Sequence, residues 1–324
     1  MKLISFFNLF YVTIYIVRGD KMKDIIISHV KDNDGLSPVI LLKYLDIDID
    51  YELLDIYEVE NFIKEFVTRD LSVYNNIYIT DLTLSENDYK VLEESEYINK
   101  VKVFDHHESH MHASDKPYVV IDKTRCASKI FYDYLESIYK FKTNTIDTYI
   151  NLVNEIDLWT WEKNNIIEAS YLPDILSMYG NEIYIDKITQ RLKLPIFEFD
   201  DFEKQYLELL KVKKERYFEN KVKNMIKIKI DDINAGVVFA ESYRSELGNY
   251  ILKNENLDFA CLINAAGGIS LRASGKVDLN EFAKKYDEKA GGHKNAAGMA
   301  FSKELKKLII KKIFNDCEII DESI

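Results

Sequence analysis

The chain has 324 residues, enough for two ordinary domains that each bury their own core. Hydrophobic residues make up 47% and charged residues 30%, a globular composition that excludes a disordered or low-complexity chain. A formal charge of −12 excludes a protein that coats duplex nucleic acid through a broad basic face. It leaves room for a small anion held by a few cationic groups inside a cleft.

The chain opens on Leu3–Val17, apolar and aromatic but broken by Ser5, Asn8 and Thr13. This run is shorter than the roughly 20 apolar residues a membrane-spanning helix needs. No small-residue cleavage site of the kind a secretory signal carries precedes Asp20. Met22 stands directly before the first strand pattern, so residues 1–21 read as an upstream extension or a misplaced start, with a membrane anchor as the lesser alternative. The three cysteines, Cys126, Cys261 and Cys317, are scattered and lack Cys-x-x-Cys spacing. They indicate neither a disulfide framework nor a zinc knot, and a cytoplasmic location is expected.

From Asp24 short apolar runs alternate with helical stretches. Asp24–Ser28 predicts a buried strand, followed by a loop with two Asp and a Gly and then a helix over about Leu36–Leu45. Ile77–Thr80 is a second strand run ending at Asp81, and Val101–Phe104 a third ending at Asp105. This alternation predicts an α/β domain with a parallel sheet flanked by helices. Polar residues follow each strand at its C-terminal end, the edge where open α/β sheets bind ligands. Residues 203–229 form a charged, helix-favouring stretch with nine basic against four acidic residues, expected to link two domains as a solvated helix with one locally packed side. Strand runs then recur at Ile226–Ile230, Gly236–Ala240, Asp258–Ile263 and Gly268–Arg272, with helices at about Ser245–Lys253 and Leu279–Tyr286. They predict a smaller α/β domain. The expected division is 1–21 as extension, 22–195 as first domain, 196–230 as helical linker and 231–324 as second domain.

The chemistry-bearing residues of the first domain are His29, Asp32 and Asp34 after the first strand, then Asp81, then Asp105, His106 and His107, and finally Asp157. Carboxylate oxygens with imidazole nitrogens suit Mn²⁺ or Mg²⁺ better than a thiolate site would. Two cations about 3.5–4 Å apart can clamp a phosphoryl group and activate water, and Asp81 is the candidate to bridge them. Each element alone has a plainer reading. A D-x-D is often a turn or helix cap, adjacent histidines are often surface residues, and a strand-terminal Asp often caps the next helix. Their joint placement after strand runs of one domain favours the metal reading. His110 and His112 read as loop histidines.

SHVKDNDG (Ser28–Gly35), ITD (Ile79–Asp81), DHH (Asp105–His107) and EIDLW (Glu155–Trp159) resemble, in order, the four motifs of the DHH phosphoesterases. SLRASGKVDLNEFAKKY (Ser270–Tyr286) with AGGHKNAAG (Ala290–Gly298) is similar to the substrate-binding domain associated with that family, so the resemblance covers about residues 22–305. It implies Asp32, Asp34, Asp81, His106 and Asp157 as ligands of two Mn²⁺ or Mg²⁺ ions. His107 would lie near the substrate phosphate, and Asp105 would orient a neighbouring imidazole. His29 is an additional candidate ligand, three residues ahead of Asp32 where the family commonly has two or four. In the second domain Arg272 would grip a phosphate, and Gly291, Gly292 and His293 would form a glycine loop opening a helix over about 293–297, its N–H groups aimed at the anion. Ala290 stands where a third glycine is usual. Ser245–Asn249 reads equally as a substrate-side stretch or a plain helical turn.

The resemblance is to the oligoribonuclease (nano-RNase) branch. It implies hydrolysis of short oligonucleotides to mononucleotides, with a short single-stranded oligonucleotide or small nucleotide as partner, no long duplex and no membrane; a homodimer is left open. Alternatives are a 3′-phosphoadenosine 5′-phosphate phosphatase, a dinucleotide phosphodiesterase and, from another class, a nucleotide-binding module without turnover.

Overall fold

The structure is a computed structural model that describes residues 22–288, 290–301, 307–308 and 311–313. The extension 1–21 and Cys317 lie outside them. The chain divides into two compact units at Phe199/Asp200.

The first unit runs β1 (Lys23–His29), α1 (Asn33–Tyr44), β2 (Ile49–Leu54), α2 (Val59–Phe66), β3 (Tyr74–Thr80), α3 (Glu86–Glu94), β4 (Val101–Asp105), β5 (Val119–Ile121), α4 (Ala127–Tyr139), α5 (Asn144–Asp157), α6 (Trp161–Asn164), α7 (Leu172–Tyr179) and α8 (Asn181–Arg191). Its five strands are all parallel in the order β2-β1-β3-β4-β5. Strand β1 is the run expected from Asp24–Ser28, and its three isoleucines divide by the period of two. Ile25 and Ile27 turn to one core with Val59, Ile63 and Phe66 of α2 and Tyr89 and Leu92 of α3. Ile26 turns to the other face, where it is fully buried. A sheet covered on both faces is why these strands read as continuous apolar runs. On the Ile26 side Phe131 of α4 meets Tyr78 and Phe104 edge-on, with ring centroids 5.1 and 5.2 Å apart.

Polar contacts pin α1 to later helices. Ser37 Oγ lies 2.8 Å from the Tyr149 hydroxyl of α5, and Asn33 Nδ2 donates to the Tyr184 hydroxyl of α8 at 2.8 Å. All four residues are buried, so each polar group needs a partner of this kind.

The second unit comprises α9 (Asp201–Lys223), β6 (Ile226–Ile230), β7 (Ile233–Phe239), α10 (Arg244–Asn254), β8 (Phe259–Ile263), β9 (Gly268–Ala273), α11 (Leu279–Lys284), β10 (Gly291–His293) and β11 (Ala296–Ala300). Its sheet is mixed, in the order β10-β11-β9-β8-β7-β6, with only β7 and β8 parallel. Segment 196–230 therefore holds a helix and an edge strand that belong to this unit. Asp200 opens α9 with a capping box, and Leu207, Leu210 and Phe218 form its buried side. Among the described residues no helix is long and apolar enough to cross a membrane.

One expectation is overturned. Residues 293–297 open no helix; His293 pairs with Ala296 across a two-residue turn, and β10 and β11 form a hairpin. Small residues on both sides of Lys294–Asn295 let two backbones approach closely, and Gly292 lies so near Ala296 that a Cβ would sit 2.3 Å from its carbonyl oxygen. Ala290 turns into this unit's core instead of rimming a loop.

Phe131 is fully buried, so Phe131→Ala is expected to destabilise the first unit by about 3–5 kcal/mol. A lowered urea midpoint with an unchanged m value checks this.

Candidate metal centre and phosphate contacts

The sheet order reverses direction between β1 and β3, and such a switch point leaves a crevice at the carboxyl ends of the strands. Strand register brings three site residues into one row there. Ser28 pairs with Thr80 and Thr80 with Phe104, so His29, Asp81 and Asp105 follow side by side. The Asp81 N–H donates to Phe104 O at 3.0 Å, and Asp81 adopts a φ of 55°. Asp enters that left-handed region more readily than bulkier residues do.

Asp32 and Asp34 come from the turn into α1. Asp32 caps the helix, its Oδ1 accepting from Gly35 N at 2.9 Å, while Oδ2 lies 2.9 Å from His29 Nδ1. One oxygen thus realises the helix-cap reading of this residue, and the other faces His29. Asp34 is buried and clamped by the N-terminus of α4, accepting from Ala127 N at 2.9 Å, Ser128 N at 2.7 Å and the Ser128 hydroxyl. Gly35 is required by space, because a Cβ there would lie 2.1 Å from His29 O. Asp157 arrives from the last residue of α5.

These side chains form three groups whose ligand atoms lie within 4.8 Å of one another: His29, Asp32 and Asp81; Asp34, His106 and Asp157; and Asp81, Asp105, His106 and His107. Asp81 and His106 each belong to two groups. His106 Nε2 stands 3.6 Å from Asp81 Oδ1, 3.5 Å from Asp157 Oδ2 and 3.8 Å from Asp34 Oδ2. Every first-unit candidate therefore converges, including His29, whose spacing departs from the family pattern. Strand β1 runs one residue further than its apolar run, which carries His29 to the crevice.

The electrostatics ask for added positive charge. Burial, then repulsion from Asp81, raises Asp34 to about 6. Burial and Asp34 push Asp157 well above the usual carboxylate range. Burial opposes a charge on His29 and His106, yet the Asp81 and Asp32 carboxylates raise His29, and Asp81, Asp157 and Asp34 raise His106, each to about 10. Asp157 Oδ2 is buried without a hydrogen-bond partner. A buried carboxylate oxygen left bare, among hard oxygen and nitrogen donors, fits a divalent cation. His29, Asp32, Asp34, Asp81, His106 and Asp157 could hold such ions.

Asp105 sits one step back. Burial opposes its charge, but hydrogen bonds from the His107 and His110 imidazoles hold it far below the usual carboxylate range. His107 Nδ1 is 2.8 Å from Asp105 Oδ1, and although burial opposes it, Asp105 raises His107 to about 9. His110, expected as a loop histidine, is fully buried against Asp105, whereas His112 is exposed. Only the depth of the crevice separates these two residues, and sequence carries no signal of it.

In the second unit, Ala296 pairs with both Arg272 and His293, which places those two in one row across β9, β11 and β10. Arg272 donates to the Ser245 hydroxyl at 2.5 Å and to Leu271 O at 2.8 Å. Its stem lies flat on α10, where Gly248 leaves space; a Cβ there would meet Arg272 Cγ at 2.7 Å. Ser245–Asn249 forms the opening turns of α10, and its Ser245 and Gly248 lie against Arg272. Burial, then the nearby Arg244, lowers the Arg272 pKa. Sequence reading missed Arg244, the first residue of α10, entered through Tyr243 at a φ of 54°. Two guanidiniums close enough to feel one another's charge, with no carboxylate partner among the described residues, suit a phosphate.

Carboxylates and imidazoles gathered at the switch edge of a parallel sheet, with paired arginines in a second unit, define a hydrolase of phosphate esters. Residues 220–318 match the DHHA1 domain family. The chain is 30% identical over 302 residues to Oligoribonuclease NrnB of Bacillus subtilis, covering 87% of this chain and 74% of that protein. It belongs to the DHH family of phosphoesterases and is an enzyme that hydrolyses phosphodiester bonds. It is also 26% identical over 300 residues to the 3′,5′-cyclic-nucleotide phosphodiesterase of Helicobacter pylori, covering 75% of this chain and 80% of that one. The solved structure of the pGpG-specific phosphodiesterase PggH from Vibrio cholerae shares the fold, with a TM-score of 0.52 at 15% identity over 90% of this chain and 97% of the other.

Gly35→Ala is expected to displace His29 and weaken Mn²⁺ binding about tenfold or more by calorimetric titration. Gly291→Ala, with nothing within 4 Å of its added Cβ, should leave that affinity unchanged.

Proposed function

We propose that the chain removes mononucleotides from very short oligonucleotides of the nano-RNA class, using two divalent cations, Mn²⁺ or Mg²⁺. The observation that carries this reading is the shared position of Asp81. It belongs both to the group with His29 and Asp32 and to that with His106, and His106 in turn joins Asp34 and Asp157. His29, Asp32 and Asp81 would hold one ion, and Asp34, Asp81, His106 and Asp157 the other. Bound there, the ions supply Lewis acidity toward the phosphoryl oxygens and lower the pKa of water.

The remaining roles fall to the chain's own groups. The α4 N-terminus fixes Asp34, and the Asp32 cap fixes the turn into α1. Asp105 holds His107 by its Nδ1, and a His107 raised to about 9 carries charge at neutral pH, suited to stabilise the phosphate or protonate the leaving oxygen. In the second unit Arg272, with Arg244, Gly291, Gly292 and His293, would receive a terminal phosphate of the substrate. We read the first unit as the catalytic domain and the second as the domain that measures substrate. A net charge of −12 supports a substrate with few phosphates over a long polymer. The Bacillus relative is named an oligoribonuclease. Free Cys126 and Cys261 suit the reducing cytoplasm.

With Mn²⁺ present, a labelled dinucleotide is expected to release mononucleotides faster than a labelled 20-mer. Faster turnover of the 20-mer would overturn the reading. The Helicobacter relative supports a second reading, so a 3′,5′-cyclic mononucleotide and 3′-phosphoadenosine 5′-phosphate belong in the same assay; preference for either would replace the oligonucleotide. Affinity without any turnover would indicate a binding module.

Arg272→Ala and Arg244→Ala should each raise KM for a terminally phosphorylated dinucleotide by about 10–100-fold, the loss of one charge-assisted hydrogen bond of about 1.5–3 kcal/mol. Steady-state kinetics with and without the terminal phosphate checks this, and the effect should vanish on the unphosphorylated substrate.

A further inference from the structure

Asp105 closes β4 completely buried, and its two oxygens are used differently. Oδ1 accepts the His106 N–H at 2.8 Å and faces His107 Nδ1 at 2.8 Å. Oδ2 faces His110 Nδ1 at 2.5 Å and receives a longer contact from the Thr83 hydroxyl at 3.4 Å. His110 comes from the short 3-10 turn Glu108–Ala113 that follows the strand, and it too is completely buried.

The second nitrogen of His110 settles where its proton lies. Nε2 is 3.3 Å from the backbone N–H of Leu84, a group that can only donate. Nε2 is therefore an acceptor, and the ring proton sits on Nδ1, directed at Asp105. The hydroxyl of Tyr89, 2.5 Å from the same Nε2, donates to it as well. Tyr89 is itself buried in the core beneath α3. The hydrogens thus run in one direction, from Tyr89 to His110 and from His110 to Asp105.

We propose that His110, backed by Tyr89, is a positioning residue for His107: it locks the Asp105 carboxylate in the one rotation that lets Oδ1 hold the His107 ring by Nδ1. Without that bond, Oδ2 retains only the long Thr83 contact, and the carboxylate turns to find another donor, as a buried acceptor must. The His107 ring then loses both its orientation and its fixed Nδ1 proton. The inference rests on the reading of His107 as the group that faces the substrate phosphate. Neither Tyr89 nor His110 touches the proposed ion ligands within the groupings above, so ion affinity should survive their replacement.

The test compares His110→Leu, His110→Asn and Tyr89→Phe in the full chain. Asn keeps an N–H close to where Nδ1 lies; Leu keeps the volume and loses the donor. On the dinucleotide with Mn²⁺, His110→Leu should lower kcat by about 10–100-fold, as loss of an orienting partner does, with KM nearly unchanged. His110→Asn should recover most of that loss, and Tyr89→Phe should fall between wild type and His110→Leu. Unchanged kcat in His110→Leu overturns the proposal. So does a His110→Asn variant as impaired as His110→Leu, because the ring would then matter only for packing. If His110→Leu fails to fold, His110→Asn and Tyr89→Phe decide, and wild-type kcat in Tyr89→Phe counts against the proposal. A second readout is independent of turnover: in protein with ¹⁵N-labelled histidine, the His107 Nδ1–H signal should exchange with water faster in the variants than in wild type. Should wild type fail to hydrolyse the dinucleotide, the substrate reading falls while this signal still judges the relay. An unaltered His107 signal in His110→Leu would overturn it.

Discussion

Buried carboxylates that repel one another govern the first unit. Asp34, Asp81 and Asp157 converge near His106 in a crevice where water screens poorly, and each carboxylate raises the energy of its neighbours' charge. Such a cluster persists only if the framework forces it and positive charge relieves it. The framework is rigid at each entry point. Asp34 is gripped by the α4 N-terminus, Asp32 spends one oxygen capping α1, and Asp81 leaves β3 through a left-handed turn. Relief comes from protons on imidazoles or, better matched to a bare Asp157 oxygen, from divalent cations. Repulsion that would destabilise an ordinary core becomes affinity for a cation.

The two units solve opposite electrostatic problems. The first gathers carboxylates around His106, and the second holds Arg272 within the field of Arg244. The acidic charge of the whole chain is compatible with this because the decisive charges act at contact distances, well inside the Debye length of about 8–10 Å. Behind these carboxylates, further side chains set orientation: the Ser128 hydroxyl donates to Asp34 O, and His110 is hydrogen-bonded to both Asp105 and Tyr89.

Sequence made the strands with apolar runs legible and hid those without. Asp24–Ser28, Ile77–Thr80 and Val101–Phe104 were readable because a parallel strand buried on both faces must be apolar throughout. Strand β2, with its IDYELL, and the three-residue β5 lie at the sheet's edges, half exposed, and leave no such run. The hairpin at 291–300 was misread as a helix start because Gly-rich segments approach anions in many helix-opening loops. Here the glycine at 292 serves a close approach between two strands. Chain order foretold neither Arg244 beside Arg272 nor His110 beneath Asp105, because both contacts depend on packing between elements.

By itself the sequence determined the chemistry and its location along the chain. Asp and His residues stand directly after apolar strand runs, and in a parallel sheet all strand ends meet at one edge. Periodicity and strand direction suffice for that much. Tertiary structure decided how the groups share the work. Register set His29, Asp81 and Asp105 in one row, and the burial depth of a short 3-10 turn separated His110 from His112. These outcomes depend on distances of a few ångströms between residues far apart in the chain, which no local pattern encodes.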